Sequence, residues 1–517
     1  MSMHPARQAY VEEGGDDDAM EGISLADVPL DRDYYMPSSV PGQANERASD
    51  VLSQFDRKRR AAQILVPTSD RDIKAALRAR GEPITLFGEG SSERRDRLRS
   101  LLFEQQEAGG EDGDVQMQEA EEAAGDGDEE FYTQGTALLL DVRRDIAQYS
   151  LPRAKQRVAF QRREATIPLK THVEFRNRIK ERLKGFELYG SQTSERPVSI
   201  VRFSPNGQYI AYGNFAGHVR LLEVPSLEQK RAYRGAHKER TTGIDWTPGA
   251  TLSGSTVSSS GVNFASGGAG GKVQLWSLDD DRPLRTLEGH TDRVCRIAFH
   301  PSGRYLASAS DDTTWRLWDV NTGQEVLVQE GHSKEVYTVS FNQDGSLAAS
   351  GGLDSIGRVW DVRSGRVIFM LESHIKPIYG LDWSTDGHRL LSGSGDGFMK
   401  CWDVRAMRES NVIAANTGGV TDLRWYKGTD GPATGLPLQQ TEEGDVIPKK
   451  ASTFVISSGF DKNIQIFSAD DWAHCRTLQG HSQAVFSTDV TSDATWIVSG
   501  GKDRTVKLWA RDDHQGI

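Results

Sequence analysis

A large aromatic side chain recurs at a fixed interval in the second half of this chain. Trp276, Trp318, Trp360 and Trp402 are each 42 residues apart, and Phe467 and Trp509 repeat the interval. Each ends a short apolar run, such as GKVQLW, TTWRLW, GFMKCW and RTVKLW. A period of this length implies one supersecondary unit used repeatedly, with each copy burying its apolar face against the next. Two steps are longer: 65 residues from Trp402 to Phe467, and 54 from Leu222 to Trp276. The extra residues fall in TPGATLSGSTVSSSG, from Thr247, and KGTDGPATGLPLQQTEEGDVIPKK, residues 427–450. Both are turn-rich and poor in apolar residues, and closure entropy grows slowly enough with length to tolerate them as surface loops.

Further landmarks keep the same period. A Gly-His pair opens the units at Gly289-His290, Gly331-His332 and Gly480-His481, with Ser373-His374 and Ala236-His237 as variants. An Asp stands six residues before the large aromatic: Asp312, Asp354, Asp396, Asp461 and Asp503. Gly-His with Trp-Asp at this period is the WD-repeat signature, whose unit is a four-stranded propeller blade. The expected fold is an all-β propeller of seven blades over 185–511. In such blades the His, the turn Asp, a strand-b Ser or Thr and the Trp share one buried hydrogen-bond network. The sets are His290, Asp312, Trp318; His332, Asp354, Trp360; His374, Asp396, Trp402; and His481, Asp503, Trp509. A buried polar group left without its partner costs about 1–3 kcal/mol, so these histidines, with His237, are read as structural. The first two units carry Ala216 and Gly270 at the Asp position and are expected to lack the set. The seventh unit ends after its third strand, so its outer strand must come from elsewhere. GFELYGSQT, residues 185–193, is the candidate, and closing the ring this way removes exposed sheet edges.

A propeller is a scaffold, so function resides on its surfaces. Aligning the inner strands gives one column near the channel entrance: Ser199, Thr242, Cys295, Tyr337, Tyr379, Thr421 and Phe486. Neighbouring turns add Arg293, Lys334 and Lys376. Aromatic and cationic groups at a rim suit a protein hot spot or base stacking, or else they are partly buried against the next blade. Of these, Arg293, Lys334, Tyr337, Lys376, Tyr379 and Phe486 are the expected partner contacts.

Catalytic, metal and cofactor chemistry is not expected. GGAGGKVQLW, residues 267–276, imitates a phosphate loop, but Val273 follows the Lys where Ser or Thr is required, and a strand follows where a helix is required. There is no G-x-S-x-G, no H-E-x-x-H and no zinc-ligand spacing. Cys295, Cys401 and Cys475 lack CxxC spacing and read as reduced packing residues of an intracellular protein. No run of 18 apolar residues suggests a membrane span, and the acidic N-terminus does not resemble a secretory signal.

Charge is distributed unevenly before the repeats. Residues 104–130 hold 12 acids and no Lys or Arg, which accounts for the whole net charge of −12. Residues 142–184 hold 13 Lys and Arg against 4 acids. This asymmetry points to protein partners, RNA, or mutual shielding of the two segments. Within the basic segment, Arg143, Arg144, Arg153, Lys155 and Arg157 are candidate RNA contacts, or else the helix packs on the propeller or the acidic tract. The expected organisation is a disordered acidic tail at 1–45, a helical region at 46–103, an acidic disordered linker at 104–130, a basic helical segment at 131–184, the propeller at 185–511 and a tail at 512–517. RKRR at 57–60 reads equally as a nuclear import signal or a solvated helix face. TSDRDIKAALRARG reads as a short helix with Ile73, Ala76 and Leu77 inward. SSERRDRLRSLLFEQQ reads as a second, with Leu98, Leu101 and Leu102 inward. GEPITLFGEG, residues 81–90, joins them. Its Ile84, Leu86 and Phe87 either plug the helix pair or dock a partner. So short a segment buries little surface alone, which favours docking.

The stretch VPTSDRDIKAALRARGEPITLFGEGSSERRDRLRSLL, residues 66–102, closely resembles the splicing factor motif. Joined to a seven-bladed WD propeller, it resembles the pre-mRNA processing factor four family, the WD-repeat subunit of the spliceosomal U4/U6 particle. IAQYSLPRAKQR, residues 146–157, resembles that family's basic helical region, and residues 330–366 resemble its fourth blade. The resemblance runs from about 47 to 511, although the 427–450 loop is longer than the family pattern and the first blades diverge. It implies a nuclear, non-enzymatic scaffold of the U4/U6 and U4/U6·U5 particles acting in pre-mRNA splicing. The partners implied are a companion subunit that grips the U4/U6 RNA duplex, a cyclophilin-type prolyl isomerase, and the snRNA itself, directly or indirectly. In the family the companion is placed on the propeller and the cyclophilin on the N-terminal region. No metal, cofactor or membrane is implied.

A rival reading starts from WDVR, which occurs at 360–363 and again at 402–405. Paired W-D-x-R motifs resemble substrate receptors of cullin-type ubiquitin ligases, in which the arginines, here Arg363 and Arg405, face the adaptor. That reading leaves residues 66–102 unexplained.

Overall fold

The computed structural model describes residues 66, 70–80, 83, 94–95, 97–102, 138–233, 235–253, 255, 257–430 and 447–511. The RKRR run, the link bearing Ile84, Leu86 and Phe87, the acidic tract and most of the 427–450 insertion lie outside the described residues.

Residues 186–511 form seven four-stranded antiparallel sheets. Six are built from consecutive strands, a to d, with strand a innermost. The inner strands touch in sequence around a closed ring, and blade seven meets blade one. They are packed on both faces, so Val198–Phe203 of blade one is buried throughout, whereas the outer strand Val367–Leu371 of blade four is mostly exposed. The seventh sheet takes its outer strand from Phe186–Thr193. This strand pairs antiparallel with Thr505–Arg511, with Thr193 opposite Thr505 and Phe186 opposite Arg511. The N-terminal strand thereby completes the C-terminal blade and covers the edge of Thr505–Arg511.

The landmarks of the repeat meet inside each blade. In blade three, Trp318 Nε1–H donates to Ser308 Oγ (2.8 Å), which lies 2.6 Å from His290 Nε2, and His290 Nδ1 lies 2.7 Å from Asp312 Oδ2. Indole only donates and carboxylate only accepts. The ends of the chain are therefore fixed: Trp donates to Ser, and His donates its Nδ1–H to Asp. The same three links occur at His332, His374 and His481, with Nδ1 to carboxylate distances of 2.9, 2.8 and 2.8 Å. Trp360, Trp402 and Trp509 close these sets on Ser350, Ser392 and Ser499. The Gly before the His has its own steric cause. A Cβ on Gly289, Gly331 or Gly480 would stand 2.9, 2.9 or 3.0 Å from the indole rim of Trp318, Trp360 or Trp509.

Two units carry partial or substituted sets. Blade two keeps most of the set: His237 lies 2.9 Å from Ser266 Oγ, to which Trp276 donates at 2.8 Å, and only the Asp is missing. In blade six Asn416 stands in for His, accepting from Ser457 (2.9 Å) and donating to Asp461 (2.9 Å). The turn Asp also holds a left-handed residue next to it, at φ +70° for Thr313 and +63° for Arg504. Where the Asp is replaced by Ala216 and Gly270, that next residue is glycine, Gly217 (+82°) and Gly271 (+73°), which adopts the conformation without help.

Helix α1, Asp70–Ala79, belongs to the N-terminal unit. Its Ile73 and Leu77 bury with Val66 and Leu98, and Ala76, Leu101 and Leu102 pack alongside, which is the inward stripe expected for this helix pair. Helix α2, Leu139–Glu164, and helix α3, Leu169–Leu183, precede the propeller and pack on it. Leu139, Val142 and Ile146 enter a cluster with Tyr305, Trp360 and Val362, and Ile179 and Leu183 join Phe186, Phe454 and Trp509.

Candidate functional site

The d–a and b–c turns converge on one face of the ring, around the channel mouth. All seven column residues, with Arg240, Arg293, Arg296 and Phe460, line a recess of about 180 Å³ there. The column divides by chemistry. The hydroxyls of Ser199, Thr242 and Thr421 donate to carbonyls of the next blade, those of Thr241, Val294 and Val485, so these three are seam staples. Cys295 donates its thiol to Asp311 Oδ1 (2.9 Å), and burial pushes its pKa up to about 12, so it is a packing group and not a nucleophile.

The aromatic members form two arcs. Tyr337 and Tyr379 meet edge to face at 5.0 Å, and Tyr379 meets Phe460 at 6.1 Å. Across the mouth Phe486 stacks on Phe215 at 5.8 Å, and the Arg240 guanidinium lies over Phe215 at 4.0 Å. Half-exposed aromatic rings of this kind are enriched at protein interfaces. Arg293 is held by Asp311 (2.9 Å). Lys334 and Lys376 are exposed, and neither has an ion pair among the described residues. Three rim residues escaped the column: Phe215, Phe460 and Arg240. Arg240 was findable, since it stands two residues before Thr242 as Arg293 does before Cys295. Phe215 and Phe460 arrive on b–c turns, off the strand-a register.

The basic segment is only partly available to a ligand. Arg157 Nε donates to Asp344 (2.7 Å) and its Nη1 to the Asp386 carbonyl (3.1 Å), in the a–b turns of blades four and five. Arg143 is half-buried beside Gly365, and Arg153 lies over the Tyr149 ring at 4.2 Å. For Arg157 the packing alternative holds: it is turned to the propeller and held there. Arg144 and Lys155 are the exposed members of the set.

The Arg363 guanidinium forms two hydrogen bonds to Asp361, at 3.0 and 3.3 Å, and Arg405 Nε lies 3.5 Å from Asp403. Among the described residues no cluster of His, Cys, Asp and Glu has the geometry to hold a metal, and no helix is long and apolar enough to cross a membrane.

Comparison with known proteins agrees with both parts of the chain. The family described as pre-mRNA processing factor 4 (PRP4) like matches residues 73–101, and the WD domain, G-beta repeat, matches 281–319, 323–361, 365–403 and 472–510. The U4/U6 small nuclear ribonucleoprotein PRP4 of Saccharomyces cerevisiae is 39% identical over 495 residues, covering 94% of this chain and 99% of that protein. The chain belongs to the PRP4 family. The human U4/U6 small nuclear ribonucleoprotein Prp4 is 39% identical over 244 residues, covering 46% of this chain and 45% of its own length. An uncharacterized WD-repeat protein of Schizosaccharomyces pombe is 37% identical over 291 residues, covering 56% of this chain and 61% of its own. The PRP4 family is one of non-enzymatic WD-repeat scaffolds.

Proposed function

We propose that this protein is a scaffold subunit of the U4/U6 and U4/U6·U5 small nuclear ribonucleoproteins, acting in the nucleus in pre-mRNA splicing by holding protein partners on the paired RNAs. The observation that carries this reading is the match along 94% of the chain to a relative named for the U4/U6 particle. It takes in the 73–101 motif as well as the repeats, so it is more specific than a propeller alone.

Within that reading the parts divide the work. The rim of Arg293, Lys334, Tyr337, Lys376, Tyr379 and Phe486 docks the companion subunit that grips the RNA duplex. The N-terminal motif, through Ile84, Leu86 and Phe87, docks a partner of its own, a cyclophilin-type prolyl isomerase being the candidate. Arg144 and Lys155, on the solvent side of α2, touch RNA phosphate; Arg157 fixes the helix that presents them. Phosphate contact of this kind weakens steeply with salt.

The test is recovery of bound RNA and protein. The tagged protein is purified gently from nuclear extract and its small RNAs and proteins are identified across a salt series. Joint enrichment of U4 and U6 supports the proposal. Absence of both RNAs, with a cullin adaptor recovered through Arg363 and Arg405, would overturn it.

A further inference from the structure

The recess at the channel mouth has an electrostatic imbalance that its rim does not explain. Three guanidinium groups, Arg240, Arg293 and Arg296, line it, and no carboxylate does. Arg293 is neutralised from outside by Asp311. Arg296 is not matched in this way. It is only 7% exposed, and the carboxylate it pairs with, Asp422, lies 3.7 Å from Nη2 and is already engaged by Arg202 at 3.0 Å. The Nη1 of Arg296 and the Nε of Arg240 are buried without a hydrogen-bond partner. Arg240 rests on the Phe215 ring and has no ion pair among the described residues. Burial, together with the neighbouring Arg293 and Arg296, disfavours its charge. A buried guanidinium donor without an acceptor is a strained arrangement, and an added anion relieves it.

The size of the recess selects the anion. At about 180 Å³ it is smaller than the roughly 300–1,000 Å³ of a small-molecule pocket, and it suits one side chain. The aromatic rim above it is suited to an extended peptide, whose flanking apolar groups would meet Tyr379, Phe460 and Phe486.

We propose that the recess receives a single Asp or Glu side chain from a partner peptide lying across the aromatic rim, with its carboxylate bound by Arg240 and Arg296. This rests on the reading of the rim as a protein-docking surface and specifies the chemistry of what docks.

The experiment selects binders of the full chain from a random 12-residue phage library. Selected peptides are then titrated by calorimetry beside versions in which each Asp or Glu is changed to its amide. The expected result is a consensus with one acidic residue flanked by apolar ones. The amide version should bind at least about tenfold more weakly, as for a buried charge pair that loses one partner. Arg296→Gln and Arg240→Gln should each erase that difference; if Arg296→Gln lowers the melting temperature, Arg240→Gln alone decides. Peptides that bind equally well as amides overturn the acidic inference. If they still depend on Tyr379 and Phe460, judged by Tyr379→Ala and Phe460→Ala, the rim reading survives without it. Peptides indifferent to both aromatic changes overturn the rim reading as well. Binding of a single-stranded oligouridine that needs Arg296, with no acidic consensus, would give the recess to RNA and overturn the proposal.

Discussion

Arg157 and Asp344 are 187 residues apart in sequence and 2.7 Å apart in space. The Asp344 side chain is 5% exposed and that of Arg157 17%, so the pair is shielded and fixes the middle of α2 to the propeller. Breaking such a pair from one side leaves a buried carboxylate without its cation. Arg157→Ala is expected to destabilise the chain by about 2–4 kcal/mol and to loosen α2, measured by urea denaturation and by amide exchange along 139–164. Arg144→Ala with Lys155→Ala should leave the denaturation curve in place and reduce the salt dependence of RNA retention. Equal effects of the two variants on stability would mean that α2 is not held as described.

The buried sets make a second prediction. Asp396 accepts from His374, and from the Phe398 backbone at 2.9 Å. Asp396→Ala leaves His374 Nδ1–H buried without an acceptor and should cost about 1–3 kcal/mol. Blade two already lacks this Asp, so Gly270→Asp should cost far less than Asp396→Ala and stabilise the fold if the new carboxylate reaches His237. Thermal melting of both variants checks this, and an unmoved curve for Asp396→Ala would show the set to be energetically idle.

What the sequence made legible follows from these same energetics. The Trp period, the His and the turn Asp are readable because each meets a buried partner at a fixed place in the blade, and few residue types satisfy it. The strand at 186–193 was readable because a three-stranded final unit leaves an edge. The basic helix was not, because its apolar residues lie on two faces. Leu139, Val142 and Ile146 face the propeller, while Leu140, Leu151 and Val158 are 58%, 58% and 40% exposed, so no stripe marks the packed side. Arg157 therefore looked like its solvent-facing neighbours. Asn416 in blade six was missed because nothing in ANTGG resembles Gly-His; only the geometry puts its amide where the imidazole sits elsewhere.

Buried imidazoles set the pH response. Burial holds His237 at about 4, against the Ser266 hydrogen bond, and holds His300 at about 4, against its bond to Gly345, from an ordinary value of 6.5. Each is neutral in the fold and takes up a proton in the unfolded chain below pH 6.5, so the unfolded state binds more protons there and stability rises with pH. Stability should fall as pH drops from about 6.5 to about 4. Below that, carboxylates take over. Against the upward push of burial, the His481 hydrogen bond holds Asp503 at about 2, so its contribution is lost between the ordinary 3.8 and about 2. Urea denaturation at a series of pH values should show both limbs, and His237→Asn should reduce the upper one, leaving the His300 share, without moving the lower.

The seams between blades supply a fourth prediction. Asp382 Oδ2 accepts the Trp425 backbone N–H at 2.8 Å, Asp245 accepts that of Phe299 at 2.7 Å, and Asp489 accepts that of Phe203 at 2.7 Å. Each carboxylate sits on strand a and reaches the strand a of the following blade, so these residues clamp the ring between blades two and three, five and six, and seven and one. Asp382 is completely buried, and an alanine there strands the Trp425 N–H in the channel wall. Asp382→Ala should cost about 1–3 kcal/mol, while Asp382→Asn, which keeps an acceptor, should cost less. Thermal melting of both variants measures this. If the two substitutions cost the same, the clamp acts through charge and not through the hydrogen bond.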